Sequence, residues 1–156
     1  MNLNEKWKEY QEQQERKKYF RSQNDLFLDR NQWIKVILHG LLGAVVIGVV
    51  HGLFTSKLGI DFSLFYLIIG YAMANIIVSA SGVQSQQMAY ASVALTFLTF
   101  YISRFVIIMM PSIMLGIPFI YGFKILWFTL RAMFSSGLFD LIFMLVGLFV
   151  AYQQAE

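Results

Sequence analysis

The sequence predicts an all-α, polytopic membrane bundle preceded by a polar helix, and three observations predict it. Of the 156 residues, 58% are hydrophobic and only 13% are charged, about half the charged fraction of a soluble domain. The charges are segregated: residues 1–35 hold eight Lys/Arg and six Asp/Glu, whereas the remainder holds only Lys57, Asp61, Arg104, Lys124, Arg131, Asp140 and Glu156. After Trp33 the chain breaks into apolar runs of about 20 residues, the length whose helix matches ~30 Å of hydrocarbon. So few charges cannot cover a water-facing surface. The boundary falls near residue 32, with a cytoplasmic polar segment at 1–32 and a membrane-embedded domain at 33–156.

The polar segment reads as a solvated helix over residues 4–23, because it lacks Gly and Pro and sets Glu12 against Arg16 and Glu15 against Lys18 at helical spacing. Its apolar residues, Trp7, Tyr10, Tyr19 and Phe20, do not form one stripe. Asn24 and Asp25 are candidate caps for a second short helix ending near Trp33, a residue type suited to the membrane interface. No apolar run lies near Met1, so targeting is expected to come from the first internal span rather than from a cleaved leader.

Four spans follow from hydropathy. They are residues 34–54, 62–80, 88–110, which Pro111 closes, and 137–152. The stretch 112–130 is apolar enough to be a fifth, but Gly116, Pro118, Gly122 and Lys124 interrupt it, so a spanning and an interfacial or re-entrant placement both stand. The count decides on which side the C-terminus lies. Eight Lys/Arg before residue 36 against Lys57 alone in the first loop place the N-terminus in the cytoplasm.

Within the spans, Gly40, Ala44, Gly48 and Gly52 recur every four positions. That spacing makes a shallow face on which another helix can lie closely, within the chain or in a second subunit. His51 sits on this face and His39 about a third of a turn from it. Twelve positions put the two about 18 Å apart along the axis, too far to share a metal ion, so each is expected as a satisfied polar group. Tyr71, Asn75 and Ser79 form one polar stripe, and Ser92, Thr96, Thr99 and Ser103 another. The simplest arrangement has these stripes facing each other, with hydroxyls also bonding their own helix carbonyls; the second stripe could also line a water path.

Arg104 and Asp140 fall inside spans, where an ionised group costs at least a few kcal/mol and must snorkel, pair or face water. Asp140 has three candidate partners, Arg131, Arg104 and Lys124.

No cysteine is present, which excludes disulfides, thiolate nucleophiles and Cys-ligated metals. No GxSxG, HExxH or phosphate-binding glycine loop occurs, so neither catalysis nor a cofactor is expected. The net charge of +3 comes from basic residues mixed with acids, so the expected partner is the anionic face of a bilayer rather than nucleic acid.

The stretches GLLGAVVIGVVHGL (40–53), IIGYAMANIIVSASG (68–82), MAYASVALTFLTFY (88–101) and FSSGLFDLIFMLVGLFVAYQQA (134–155) resemble, in order and content, an uncharacterised bacterial multi-span membrane domain often carried behind a zinc-ribbon module. The resemblance implies four full spans, with 112–130 partly interfacial, in a bacterial cytoplasmic membrane. It implies no reaction. This chain departs from the pattern in having a neutral loop after the second span and a Cys-free helix in place of the zinc ribbon.

Together these features lead to the expectation of a non-enzymatic membrane scaffold or interaction protein. It would self-associate, or join a membrane complex, through the Gly40/Ala44/Gly48/Gly52 face and display residues 4–30 to cytoplasmic partners. The alternative is an oligomeric pore or small transporter using Thr96, Thr99, Ser103, Arg104 and Asp140. A third reading, an intramembrane enzyme or an effector of cell death, has only membrane insertion behind it.

Overall fold

The computed structural model describes residues 12, 30–59, 63–114, 122–135 and 137–156. Glu12 is helical; the rest of the expected helix over 4–23 and the caps at Asn24 and Asp25 lie outside the described residues. Among the described residues from 30 onward there are five helices: α1 (Arg30–Leu58), α2 (Phe65–Ser81), α3 (Gln86–Met114), α4 (Gly122–Ser135) and α5 (Leu138–Ala155). No strand occurs among the described residues. Three helical stretches, Asn31–Leu58, Gln86–Pro111 and Leu138–Ala155, are long and apolar enough to cross a membrane, while α2 is an apolar helix of 17 residues.

Local chemistry sets the helix ends. Gly82 takes a left-handed φ of 70° and returns its N–H to the Val78 carbonyl at 2.8 Å, a conformation that costs glycine little because it has no Cβ. Three residues later the Ser85 hydroxyl accepts the Met88 N–H at 3.2 Å and starts α3. The same short loop holds the end of the chain: Ser85 N–H donates to the Ala155 carbonyl at 3.0 Å and the Gln84 amide to the Gln154 carbonyl at 3.2 Å. Carbonyls in the last turn of α5, which have no partner inside the helix, are thereby satisfied.

These contacts fix the course of the chain. Ser85 and Ala155 meet at one end of the bundle, here the near end, and Ser63 meets Asp140 at the far end. α2 therefore runs from far to near, α3 returns to the far end, and α5 runs back beside α2. On α1, Gly40 faces Leu95 whereas Gly52 faces Ser103 and Val106, so α1 lies parallel to α3. The molecule is an α1–α2 hairpin packed on an α3–α5 hairpin, with α4 inserted at the far end of the second.

Two seams bring backbones together. A Cβ on Gly48 would stand 2.9 Å from the Thr99 carbonyl oxygen, and one on Gly52 would stand 2.7 Å from that of Ser103. On the other seam a Cβ on Gly147 would stand 2.5 Å from the Tyr66 carbonyl oxygen, and Gly70 lies against the Gly147 carbonyl. Between the seams Met73, Phe100 and Met144 are buried with Ala44, and Tyr66 meets Phe100 edge to face at 4.9 Å between ring centroids.

Four expectations change. Residues 30–33 belong to α1, which runs on to Leu58, so no separate helix ends near Trp33. Pro111 does not close the third helix, which continues to Met114; proline removes one N–H, a loss that neighbouring groups can offset within a helix. The stretch 112–130 is divided between helices: its described residues belong to the end of α3 and the first part of α4, which has 14 residues, about 21 Å of helix, and residues 115–121 lie outside the described residues. Finally, Tyr71, Asn75 and Ser79 do not face the hydroxyl stripe of α3. Tyr71 is 52% exposed, Ser79 is exposed, and the Asn75 amide donates to the Tyr71 carbonyl of its own helix at 3.0 Å. That internal bond satisfies the amide without a second helix.

The α2–α5 seam leaves no room for a methyl group. Gly147→Ala is expected to destabilise the bundle by about 1–3 kcal/mol, whereas Leu42→Ala on the exposed face of α1 should stay within about 0.5 kcal/mol. Unfolding in mixed detergent micelles, followed by circular dichroism, measures both.

Candidate functional site

Polar side chains from four helices converge toward the far end. Arg104 of α3 donates one guanidinium nitrogen to Asp140 Oδ2 at 3.1 Å and to the Tyr66 hydroxyl at 2.8 Å. Ser63, just before α2, donates to Asp140 Oδ1 at 2.8 Å. Both carboxylate oxygens are thus engaged, and the ion pair is largely withdrawn from the surface, with 15% and 22% of the two side chains exposed. Asp140 falls in the first turn of α5, where the helix dipole favours a negative charge.

Of the three candidate partners, the fold selects Arg104. Arg131 and Lys124 lie on α4 with their side chains exposed. The parallel packing of α2 and α5 carries Asp140 to the end of α2 where Ser63 and Tyr66 stand, and Arg104 reaches it from α3.

One residue before Arg104, Ser103 shares a 2.6 Å hydrogen bond between its hydroxyl and Nδ1 of His51. The imidazole lies edge-on to Phe65 at 5.4 Å and beside Tyr66 at 6.2 Å. A hydroxyl bonded to an imidazole is the first requirement for a serine nucleophile. Here Ser103 is 1% exposed and its backbone carbonyl is pressed against Gly52, so the pair ties α1 to α3 and no substrate reaches the hydroxyl in this conformation. His39 is exposed and its Nδ1 lies 2.7 Å from the Lys35 carbonyl oxygen. Among the described residues no three of His, Asp and Glu gather where a metal could be held.

The small-residue face and the hydroxyl stripe turn out to be partners. Gly40, Ala44, Gly48 and Gly52 are buried, and the face lies on α3, where Ser92, Thr96, Thr99 and Ser103 are also buried. Of the two uses open to the face, packing within the chain is the one seen: the chain's own third helix occupies it. Thr99 donates to the Leu95 carbonyl at 2.8 Å, as helix hydroxyls commonly do. The buried hydroxyls of Ser92 and Thr96 find no partner among the described residues.

Ser63 and Tyr66 are the members of the cluster that the sequence reading missed. A carboxylate inside an apolar helix needs donors for both oxygens and its guanidinium partner needs further acceptors; the Ser63 hydroxyl supplies the one and the Tyr66 hydroxyl the other. No family model, curated protein or solved structure matches the chain.

The ion pair gives a direct energetic test. Arg104→Met, which leaves the carboxylate without its cation, should cost about 3 kcal/mol of unfolding free energy. The double variant Arg104→Met/Asp140→Leu should recover much of that loss. Additive losses in a double-mutant cycle in detergent would show that the two side chains do not interact.

Proposed function

We propose that the chain is a four-span protein of a bacterial cytoplasmic membrane, crossing through α1, α2, α3 and α5, with both termini in the cytoplasm and α4 lying in the interface. In this reading it is a non-enzymatic scaffold that fixes the charged segment 1–32 at the membrane surface for cytoplasmic partners or for a larger membrane complex. Hydropathy supports the crossings of α1, α3 and α5 directly. For α2, 17 residues span about 26 Å, the lower limit for a crossing helix, and its place between α1 and α3 supports the assignment. The eight basic residues before position 36 favour the cytoplasmic side for the near end.

The observation that carries the scaffold reading is the mutual bonding of the polar side chains gathered toward the far end. Arg104, Asp140, Ser63 and Tyr66 bond one another across three helices, His51 bonds Ser103, and the glycine faces are spent on internal seams. Such a bundle is built to stay in one arrangement. With the small-residue face occupied, association with partners falls to segment 1–32 and to the outward faces of the helices.

A pore or small transporter is the second reading. The unpartnered hydroxyls of Ser92 and Thr96 favour it, since buried hydroxyls of this kind are ones that water would satisfy.

Because the chain has no cysteine, single introduced cysteines separate the two readings. The scaffold reading predicts that Thr96→Cys and Thr99→Cys resist a membrane-impermeant charged thiol reagent in sealed vesicles, while Glu156→Cys reacts from the cytoplasmic side only. Fast labelling at 96 and 99 would favour the conduit. Labelling of 156 from outside would reverse the topology.

A further inference from the structure

The hairpin of α1 and α2 leaves a cleft on its outward side. The two helices meet closely at Gly43, where a Cβ would stand 2.8 Å from Ile76 Cδ1. About one turn further along α1 a cleft of about 380 Å³ begins, walled chiefly by Val46, Val50 and Phe54 of α1 and by Phe65, Ile68 and Ile69 of α2. His51 is the one polar side chain on its wall, and its Nδ1 is held by Ser103. The cleft is open to the outside, with Val50 61% and Ile68 60% exposed. Toward the far end Phe54 and Phe65 meet edge to face at 5.8 Å between ring centroids. Lys57, exposed in the last turn of α1, follows Val46, Val50 and Phe54 at steps of four, four and three. It therefore stands on the same strip of the helix, just beyond the cleft.

We propose that this cleft holds one acyl chain of a phospholipid from the leaflet at the far end, with the lipid phosphate on the Lys57 ammonium. The proposal rests on the membrane reading above. Depth, size and charge choose this occupant. From Val46 to Phe54 the cleft runs about 12 Å along α1, and the hydrocarbon of one leaflet is about 15 Å deep. Val46 lies near the middle of the apolar stretch Asn31–Leu58 and Phe54 near its far end, so the cleft begins at mid-membrane and ends toward one surface. A second helix, about 10 Å across with its side chains, is too thick to enter a cleft of this volume, whereas a single hydrocarbon chain is not. An apolar recess left unfilled loses the dispersion contacts of its lining, and a flexible chain supplies them. At the surface end the Lys57 ammonium meets phosphate as a point charge, on a stem long enough to reach headgroup level. It carries three donors, so a phosphate oxygen can be held beside a contact within the chain.

The full-length chain is placed in nanodiscs of phosphatidylcholine, a small fraction of which carries a diazirine midway along one acyl chain. After illumination, mass spectrometry compares adducts in the cleft, residues 46–54 and 65–69, with adducts on the outward face of α5, where Leu145 and Phe149 are exposed. The cleft should carry severalfold more label. Val50→Trp fills the cleft from an exposed position and should remove this excess, and Ile68→Trp should do the same from the opposite wall. Leu42→Trp, on the outward face of α1 but outside the cleft, should leave it unchanged. Lys57→Gln should lower the excess by up to about fivefold. Equal labelling of the two faces, or an excess that survives both cleft-filling variants, would overturn the proposal while leaving the membrane reading intact. An excess unchanged in Lys57→Gln would overturn it by taking the phosphate away from Lys57. Loss of the excess on adding an equimolar free fatty acid would overturn it by assigning the cleft to a single-chain carboxylate, and loss in discs holding two chains by assigning it to a second copy. Failure of the chain to enter nanodiscs at all would instead sink the membrane reading on which the proposal stands.

Discussion

Helices in hydrocarbon gain nothing from hiding apolar side chains from one another, so their association depends on how closely their backbones can approach. This chain meets that constraint twice. Gly48 and Gly52 let α1 lie on the carbonyls of Thr99 and Ser103, and Gly70 and Gly147 let α2 and α5 touch. Each seam joins two parallel helices, and the short loops at Gly59 and Gly82 tie one seam to the other. The register of the polar groups follows. With α5 held beside α2, Asp140 arrives at Ser63, and with α1 held on α3, His51 arrives at Ser103.

The two ends of the bundle differ as a result. The near end gathers the start of α1, the uncharged Gly82–Ser85 loop and the C-terminal turn, which the loop caps directly. Toward the far end lie the Arg104–Asp140 pair and the return of the chain through α4. α4, a helix of 14 residues, packs on α3 through the Tyr101 hydroxyl on the Leu126 carbonyl and precedes α5 in the chain. Under the four-span reading it lies across the interface, and its aromatic and basic outer face suits that level. The charges toward this end are thus either paired inside the bundle, as Arg104 and Asp140 are, or exposed, as Lys124 and Arg131 are.

Much of this was legible in the sequence, where a single rule governed the residue. The four-residue spacing of Gly40, Ala44, Gly48 and Gly52 announced a packing face, because only small residues permit close approach. Arg104 and Asp140 announced a need for partners, because lone charges are costly in lipid. The choice of partner was not legible, since Arg131 and Lys124 satisfy the same rule and only the packing of α2 on α5 excludes them. Gly70 and Gly147 were silent because a lone glycine leaves no period to detect. The stripe of Tyr71, Asn75 and Ser79 misled: a polar helix face reads alike whether it bonds a neighbour or, as Asn75 does, the preceding turn of its own helix. Pro111 misled in a similar way, since a membrane helix tolerates proline where a soluble one would stop.

The course of the chain can be tested with one disulfide. Ser85 and Ala155 lie in direct backbone contact, 3.0 Å from N to O, and no native cysteine competes. The variant Ser85→Cys/Ala155→Cys should close an intramolecular bond in intact membranes under mild oxidation, seen as a mobility shift that a reductant reverses. If the pair stays reduced while the protein is inserted and folded, the C-terminus lies elsewhere and the two parallel seams are not the organising feature of this bundle.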